Sequence, residues 1–491
     1  MKRLLSTIAL LLLCTVADAQ PVKLRFMVAD CKDTVLYIGR HYRDAVQLLD
    51  SMRRDRRQPS YAVAGRRDWG RGVYALVRQD RKTVLTDFLI DDSRSFTLEG
   101  DASLSAQSVK VKGSKANTLM FDYMATLHAA QQEIKDIRER KKDPATRAQA
   151  EADEVALTQR MTVYQEKTLG SSTPNLFFEL VNLCENPDVP DSVGDKARYF
   201  RTHYWDRLFN DELGMMNGER PRNENCSSFN IQHSALLYSP QLFNKMNYFF
   251  FGLLYHADAD TICRELDRLM ARVGDDTAMR RYVLQFIEPR YFRSTKNIGW
   301  DAVWCHIARE YYLKGLCPWS RESELYNMRQ NYGRIRQSII GAHGQELWMA
   351  DTNQSSDPND WISSHRFPTR YVILWFWDPD CHHCQEQSEE LKVLYDSLQT
   401  APDRRFEVYA VGYESDVEKW KRYVREHGFH WVNVGGSNVN IDYQEAYNVH
   451  GAPTMIILNE RRDIIMNKVL PVKNLLQFLD NYEKRCKGVK E

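Results

Sequence analysis

Tyr371-Val-Ile-Leu-Trp-Phe-Trp-Asp-Pro-Asp-Cys-His-His-Cys384 decides how this chain is read. Its first seven residues are all apolar and rich in β-branched and aromatic types, the pattern of a strand buried on both faces. From Gln385 the texture becomes amphipathic, with Leu391, Leu394 and Leu398 at i, i+3 and i+7 forming one helical stripe. The Cys381-x-x-Cys384 pair therefore falls between a strand and a helix. With ten cysteines in 491 residues the spacing alone is weak, and the position is the stronger signal. A sulfur at a helix N-terminus faces unpaired backbone N–H groups that favour an anion, and a cysteine three residues on lies within disulfide reach. The stretch predicts a redox-active pair.

Downstream, strand and helix alternate. Phe406 to Val411 reads as a strand, and Ser415-Asp-Val-Glu418 is a capping-box pattern opening a helix marked by Val417, Trp420 and Val424 that stops at Gly428. Phe429 to Val434 reads as a third strand, with Gly435-Gly436 as a turn after it. Gly451-Ala-Pro-Thr454 precedes the apolar run Met455 to Leu458, and Ile464-Ile-Met466 is its expected hairpin partner. Residues 337–491 are thus predicted to form an α/β domain, a sheet with helices on both faces.

Outward from that domain the pattern changes twice. Residues 20–115 run in short β-like pieces, among them Val73 to Val77, Thr83 to Ile90 and Val109 to Lys112, separated by Gly39, Gly65, Gly100 and Gly113. Residues 116–336 are helical in texture, with long stretches such as Met120 to Lys142 and Met246 to Val273 and breaks at Pro187, Pro190, Pro221 and Pro289. The expected architecture is multidomain: an N-terminal antiparallel β-sandwich, a central all-α domain and a C-terminal α/β domain. Residues 1–19 combine Lys2 and Arg3, the apolar core Leu4 to Val16 and Ala17-Asp-Ala19, which predicts a signal peptide and an exported chain. Leu13 before Cys14 argues against a lipoprotein anchor, so the mature protein is expected to be peripheral to the membrane at most.

The 67 basic and 66 acidic residues nearly cancel, and no segment joins a basic run to aromatic platforms, which argues against nucleic acid as a partner. Glu133 to Lys142 alternates in sign and reads as a solvated helix face. The other mature cysteines, Cys31, Cys184, Cys226, Cys263, Cys305, Cys317 and Cys486, are odd in number and read mostly as small core residues.

Phe376-Trp377 before Cys381-x-x-Cys384, the downstream Pro453 before a strand and the signal peptide together resemble the thioredoxin-like modules of the TlpA/ResA type, exported thiol-disulfide oxidoreductases, over about Ile340 to Cys486. The resemblance implies a thioredoxin fold, Cys381 as nucleophile, Cys384 as resolving cysteine and Pro453 as a cis-proline that turns the Ala452 backbone toward substrate. Trp377, Ala452, His382 and His383 would border that substrate, and Glu414 occupies a place similar to a glutamate such proteins use near the disulfide. The two histidines would pull the couple toward oxidising behaviour, while Asp378 and Asp380 act the other way. Three departures stand out: Trp375 replaces a buried carboxylate six residues before the first cysteine, Glu389 replaces a helix-kinking proline, and the upstream domains resemble only uncharacterised fused domains.

The implied activity is dithiol-disulfide exchange in the periplasm or cell envelope, most naturally reduction of protein disulfides. No flavin or nicotinamide fingerprint is present, so no cofactor beyond the Cys381–Cys384 disulfide is expected, and a membrane electron donor is the implied partner. Alternatives left open are a periplasmic oxidase or isomerase, copper or zinc binding by Cys381, Cys384 and His450, and a non-catalytic binding scaffold.

Overall fold

The structure is a computed structural model that describes residues 20–170, 175–209, 235–293, 297–399, 404–413, 416–468 and 470–488. Residues 1–19, where a signal peptide is expected, and Glu414 lie outside the described residues. The chain divides into two compact units, one formed by 1–255 with 268–282 and the other by 256–267 with 283–491.

The N-terminal region holds β1 (Gln20–Val28), β2 (Val35–Tyr42), β3 (Ala45–Arg53), β4 (Ser60–Arg67), β5 (Gly72–Val77), β6 (Val84–Ile90), β7 (Ser95–Gly100) and β8 (Lys110–Lys112). They form two sheets, ordered β4-β1-β7-β8 and β3-β2-β5-β6. Phe26 of β1, Phe88 of β6 and Phe96 of β7 interleave between them, with ring centroids 5.2 and 5.9 Å apart. The sandwich is not purely antiparallel, because β1 and β7 pair in parallel. These strands are far apart in sequence, and the chain between them passes through the other sheet, a connection long enough for parallel pairing. Gly39 does not separate strands but lies inside β2 at a bulge, where a Cβ would collide with Val46 Cγ1.

The helical middle opens with α1 (Lys115–Arg140), capped by Ser114, whose side chain accepts the Asn117 N–H. The buried Asn117 amide bonds both the N–H and the carbonyl of Leu89, at 2.7 and 2.8 Å, so a side chain does the work of a neighbouring strand for β6. Then follow α2 (Arg147–Gly170), α3 (Leu176–Cys184), α4 (Lys196–His203), α5 (Asp206–Phe209), α6 (Pro240–Tyr248), α7 (Ala259–Val273), α8 (Thr277–Arg293), α9 (Trp300–Ile307) and α10 (Glu322–Ile335). The stretch from Met246 to Val273, read as helical in texture, holds two helices: α6 runs into a π-turn, Phe249–Leu253, and Asp258 then accepts the Thr261 N–H at 2.8 Å, starting α7 afresh. Pro289 lies inside α8 instead of ending it. A proline costs one helical hydrogen bond, and this helix continues to Arg293 before stopping. Among the described residues no helix is long and apolar enough to cross a membrane.

The C-terminal sheet has seven strands, β9 (Trp348–Asp351), β10 (Ile362–Ser363), β11 (Tyr371–Trp377), β12 (Phe406–Gly412), β13 (Val432–Val439), β14 (Thr454–Leu458) and β15 (Ile464–Met466), in the order β10-β9-β13-β12-β11-β14-β15. β11, β12 and β13 run parallel, and β14 pairs antiparallel to β11 with β15 as its hairpin partner. β11 is buried throughout. Its odd residues, Tyr371, Ile373, Trp375 and Trp377, join one core with Cys384 and Leu391, and its even residues, Val372, Leu374 and Phe376, join a second core with Leu347 and Tyr447. That alternation explains why the run is apolar without a break.

Around the sheet lie α11 (His382–Gln399), α12 (Val417–His427), α13 (Tyr443–Tyr447) and α14 (Leu475–Gly488). The cap of α12 is Asp416, whose side chain accepts the Lys419 N–H, one residue later than the expected Ser415. β13 starts at Val432 because Phe429 and Trp431 stack at 4.6 Å in the core instead of pairing in the sheet. Gly435-Gly436, expected as a turn, lies within β13. The indole of Trp420 covers Gly435, where a Cβ would fall 3.4 Å from two of its ring carbons, and the register slips beside Gly436, which sits at φ 82°.

Candidate active site

The end of β11 presents the cysteine pair. Trp377 closes the strand, its carbonyl accepting the Tyr413 N–H at 2.8 Å beyond the end of β12. Asp378 turns the chain: its Oδ1 accepts the Asp380 N–H at 2.8 Å, and its carbonyl accepts the Cys381 N–H at 3.1 Å. Helix α11 begins at the next residue, so Cys381 stands at its N-terminus and Cys384 in its first turn, as the sequence predicts.

The two thiols are free and unlike. Cys381 is partly exposed, and its Sγ accepts the Cys384 backbone N–H at 3.3 Å while facing the Ala452 carbonyl at 3.8 Å. Cys384 is fully buried against Trp375 and Trp377. Burial, followed by its hydrogen bond with Cys381, pushes the Cys384 thiol up to about 12. The arrangement gives one sulfur that can reach a partner molecule and a second that can reach only the first.

Ala452-Pro453 is a cis peptide bond, and the Ala452 carbonyl lies 3.8 Å from the Cys381 sulfur. His382 and His383 are exposed, and both turn toward Glu386, at 3.2 and 3.4 Å, rather than toward either sulfur. Trp377, expected at the substrate, is fully buried under the loop, edge-on to Tyr423 and Phe429, so it supports the site from below. His450 pairs with Asn448 at 2.8 Å, and among the described residues no three His, Cys, Asp or Glu side chains converge as a metal-holding group.

Several contacts have no plain sequence signal. Trp375, at the place of the missing carboxylate, donates its indole N–H to Ser388 Oγ at 3.0 Å, both groups buried. Lys419 of α12 forms an ion pair with Asp380, the residue before Cys381. Glu389 pairs with His427 at 2.5 Å, and His427 stacks on Tyr423 at 3.8 Å, so the position expected to change the helix ties α11 to α12 instead. The Glu386 contacts are the exception, since their i+3 and i+4 spacing from the histidines is legible in sequence.

Residues 369–464 match a thioredoxin-like family, described as thioredoxin-like. Curated proteins yield no match to the chain. Among solved structures, a domain of a possible thiol-disulfide isomerase from Cytophaga hutchinsonii is 27% identical over 30% of this chain and 97% of its own, with a TM-score of 0.27. A thioredoxin-like protein from Bacteroides caccae is 15% identical over 60% of this chain and 97% of its own, with a TM-score of 0.42. A thiol-disulfide oxidoreductase from Bacteroides fragilis is 20% identical over 28% of this chain and 98% of its own, with a TM-score of 0.24. The C-terminal domain is thioredoxin-like, and the resemblance read from Cys381-x-x-Cys384 and Pro453 holds at that level.

Proposed function

We propose that this chain is an exported thiol-disulfide oxidoreductase that reduces protein disulfides by dithiol-disulfide exchange through Cys381 and Cys384. The observation that carries the reading is the asymmetry of the pair: an accessible sulfur at a helix N-terminus, hydrogen-bonded by the N–H of a second cysteine that is wholly buried. Cys381 as thiolate attacks a substrate disulfide, one substrate sulfur leaves, and a mixed disulfide forms. Cys384 then attacks Cys381, the second substrate sulfur leaves as a thiol, and the protein is left with a Cys381–Cys384 disulfide. The Ala452 backbone beside Cys381 is placed to pair with an extended substrate segment, with His382 and His383 at its exposed border.

The reading takes the reducing direction because both imidazoles face Glu386 and not the Cys381 sulfur. Electrons would come from a membrane donor in the cell envelope, with no cofactor other than the cysteine pair. Equilibrating the purified chain in glutathione and dithiothreitol buffers tests this. A reversible two-electron couple near about −270 mV supports a reductase, one near about −120 mV indicates an oxidase, and no couple sinks the reading. Cys381→Ser is expected to abolish turnover, whereas Cys384→Ser traps the mixed disulfide.

A further inference from the structure

Between β11 and α11 the chain turns within Asp378 to Cys381, and the turn is tied directly to the helix it leads into. Gln385, the residue after Cys384, reaches back along the chain, and its Nε2 donates to the Pro379 carbonyl at 2.7 Å. Pro379 is buried, and its ring fixes one of the turn's backbone angles, so the tie ends on a stiff point. This bond encloses the redox pair: it starts one residue beyond Cys384 and ends two residues before Cys381. Inside the closed loop the Asp378 carbonyl accepts the Cys381 N–H at 3.1 Å, and the Cys381 sulfur accepts the Cys384 N–H at 3.3 Å.

We propose that Gln385 is a positioning residue of the exchange reaction: its amide, by holding Pro379, keeps Cys381 in place for Cys384 while no bond joins the two sulfurs. This rests on the dithiol exchange proposed above. In the resolving step the Cys384 proton ends in solvent and the Cys384 sulfur bonds Cys381, while the substrate sulfur leaves Cys381 with the electron pair. Once formed, the disulfide itself ties turn to helix, and the amide adds little. In the dithiol and the mixed disulfide that link is absent, so losing the amide bond gives the turn freedom that ring closure must remove again. A displacement on the order of 1 Å between reacting groups is enough to slow such a step.

The test mixes the reduced full chain with 5,5′-dithiobis(2-nitrobenzoate), quenches in acid, alkylates, and reads the tryptic peptide 371–392, whose only cysteines are Cys381 and Cys384. Adduct formation reports the first attack, and conversion of adduct to internal disulfide reports the second. Glutathione buffers read on the same peptide give the reduction potential. Gln385→Met has similar reach and no donor. It should form the adduct at the unaltered rate and resolve it about five- to tenfold more slowly. The disulfide should be disfavoured by the same factor, a potential raised by about 20–30 mV. Gln385→Asn, which keeps the amide but falls short of Pro379, should do the same. Gln387, on the same helix, accepts the Val472 N–H at 3.1 Å, so Gln387→Met also loses a side-chain amide bond, but one that does not touch the turn. It should move neither the resolving rate nor the potential. Unchanged resolution and potential in both Gln385 variants, or equal shifts in Gln387→Met, overturn the assignment. If the unaltered chain forms no adduct, or never converts it to the disulfide, the exchange reading itself fails; if it runs both steps, a missing Gln385 effect condemns the positioning role alone.

Discussion

Replacing Gly412 by alanine tests how closely the helix over the parallel strands is fitted. Gly412 ends β12 in ordinary extended backbone, so its need for glycine is one of space. A Cβ there would lie 3.0 Å from Cδ1 and Nε1 and 3.2 Å from Cε2 of Trp420. Such contacts are comfortable at about 3.5 to 4.0 Å, so the indole must lift by roughly half an ångström. It is 1% exposed, and Val424 and Trp377 share its core, so there is little room to move. Overpacking of this kind costs about 1–3 kcal/mol, offset by about 0.4–1 kcal/mol from the stiffer unfolded chain, leaving a net loss of about 1–2 kcal/mol. The clashing atoms belong to the five-membered ring. In a Trp420→Phe background that ring is gone, and Gly412→Ala should cost about 1 kcal/mol less. Urea unfolding read by pulse labelling of Cys384, fully buried in this domain, reports the relevant core and not the upstream regions. An equal penalty in both backgrounds would refute the fit.

Other perturbations bear on the site. Ser388→Ala leaves the buried Trp375 N–H without an acceptor and should cost about 1–3 kcal/mol by the same labelling assay, with Ser388→Thr milder. The Cys384 thiol is raised in the folded protein, so its contribution to stability is complete below the unfolded thiol's range near pH 9 and is lost as pH climbs toward about 12. Cys384→Ser should therefore flatten the alkaline limb of a stability profile measured in reducing buffer. Lys419→Gln strips the cation from Asp380 and should slow alkylation of Cys381 at low salt, Asp380→Asn should quicken it, and both differences should shrink at high salt.

The fold of the C-terminal domain is legible in its sequence because its signals are local. The apolar run of β11, the leucine stripe of α11 and the Gly428 cap each follow from neighbours in the chain, and each appears where the pattern places it. Errors arise where a distant side chain decides. Gly435-Gly436 reads as a turn until Trp420 of α12 is seen packed over Gly435 and Gln354 against Gly436, both within β13. The short edge strands β9 and β10 leave little periodicity and take their place from pairing with each other and with β13. In the N-terminal sheets, the strand pieces of β5 and β6 are plain in sequence, but the parallel pairing of β1 with β7 is set by the chain's route between sheets.

The same division runs through the site. The cysteine pair and Pro453 are visible because they stand in short, local patterns, whereas the side chains packed around them need only converge in space. Trp375 illustrates the point: as a departure from a pattern it signals that a carboxylate is missing, yet nothing in the sequence says that Ser388, thirteen residues on, accepts its indole N–H in the core.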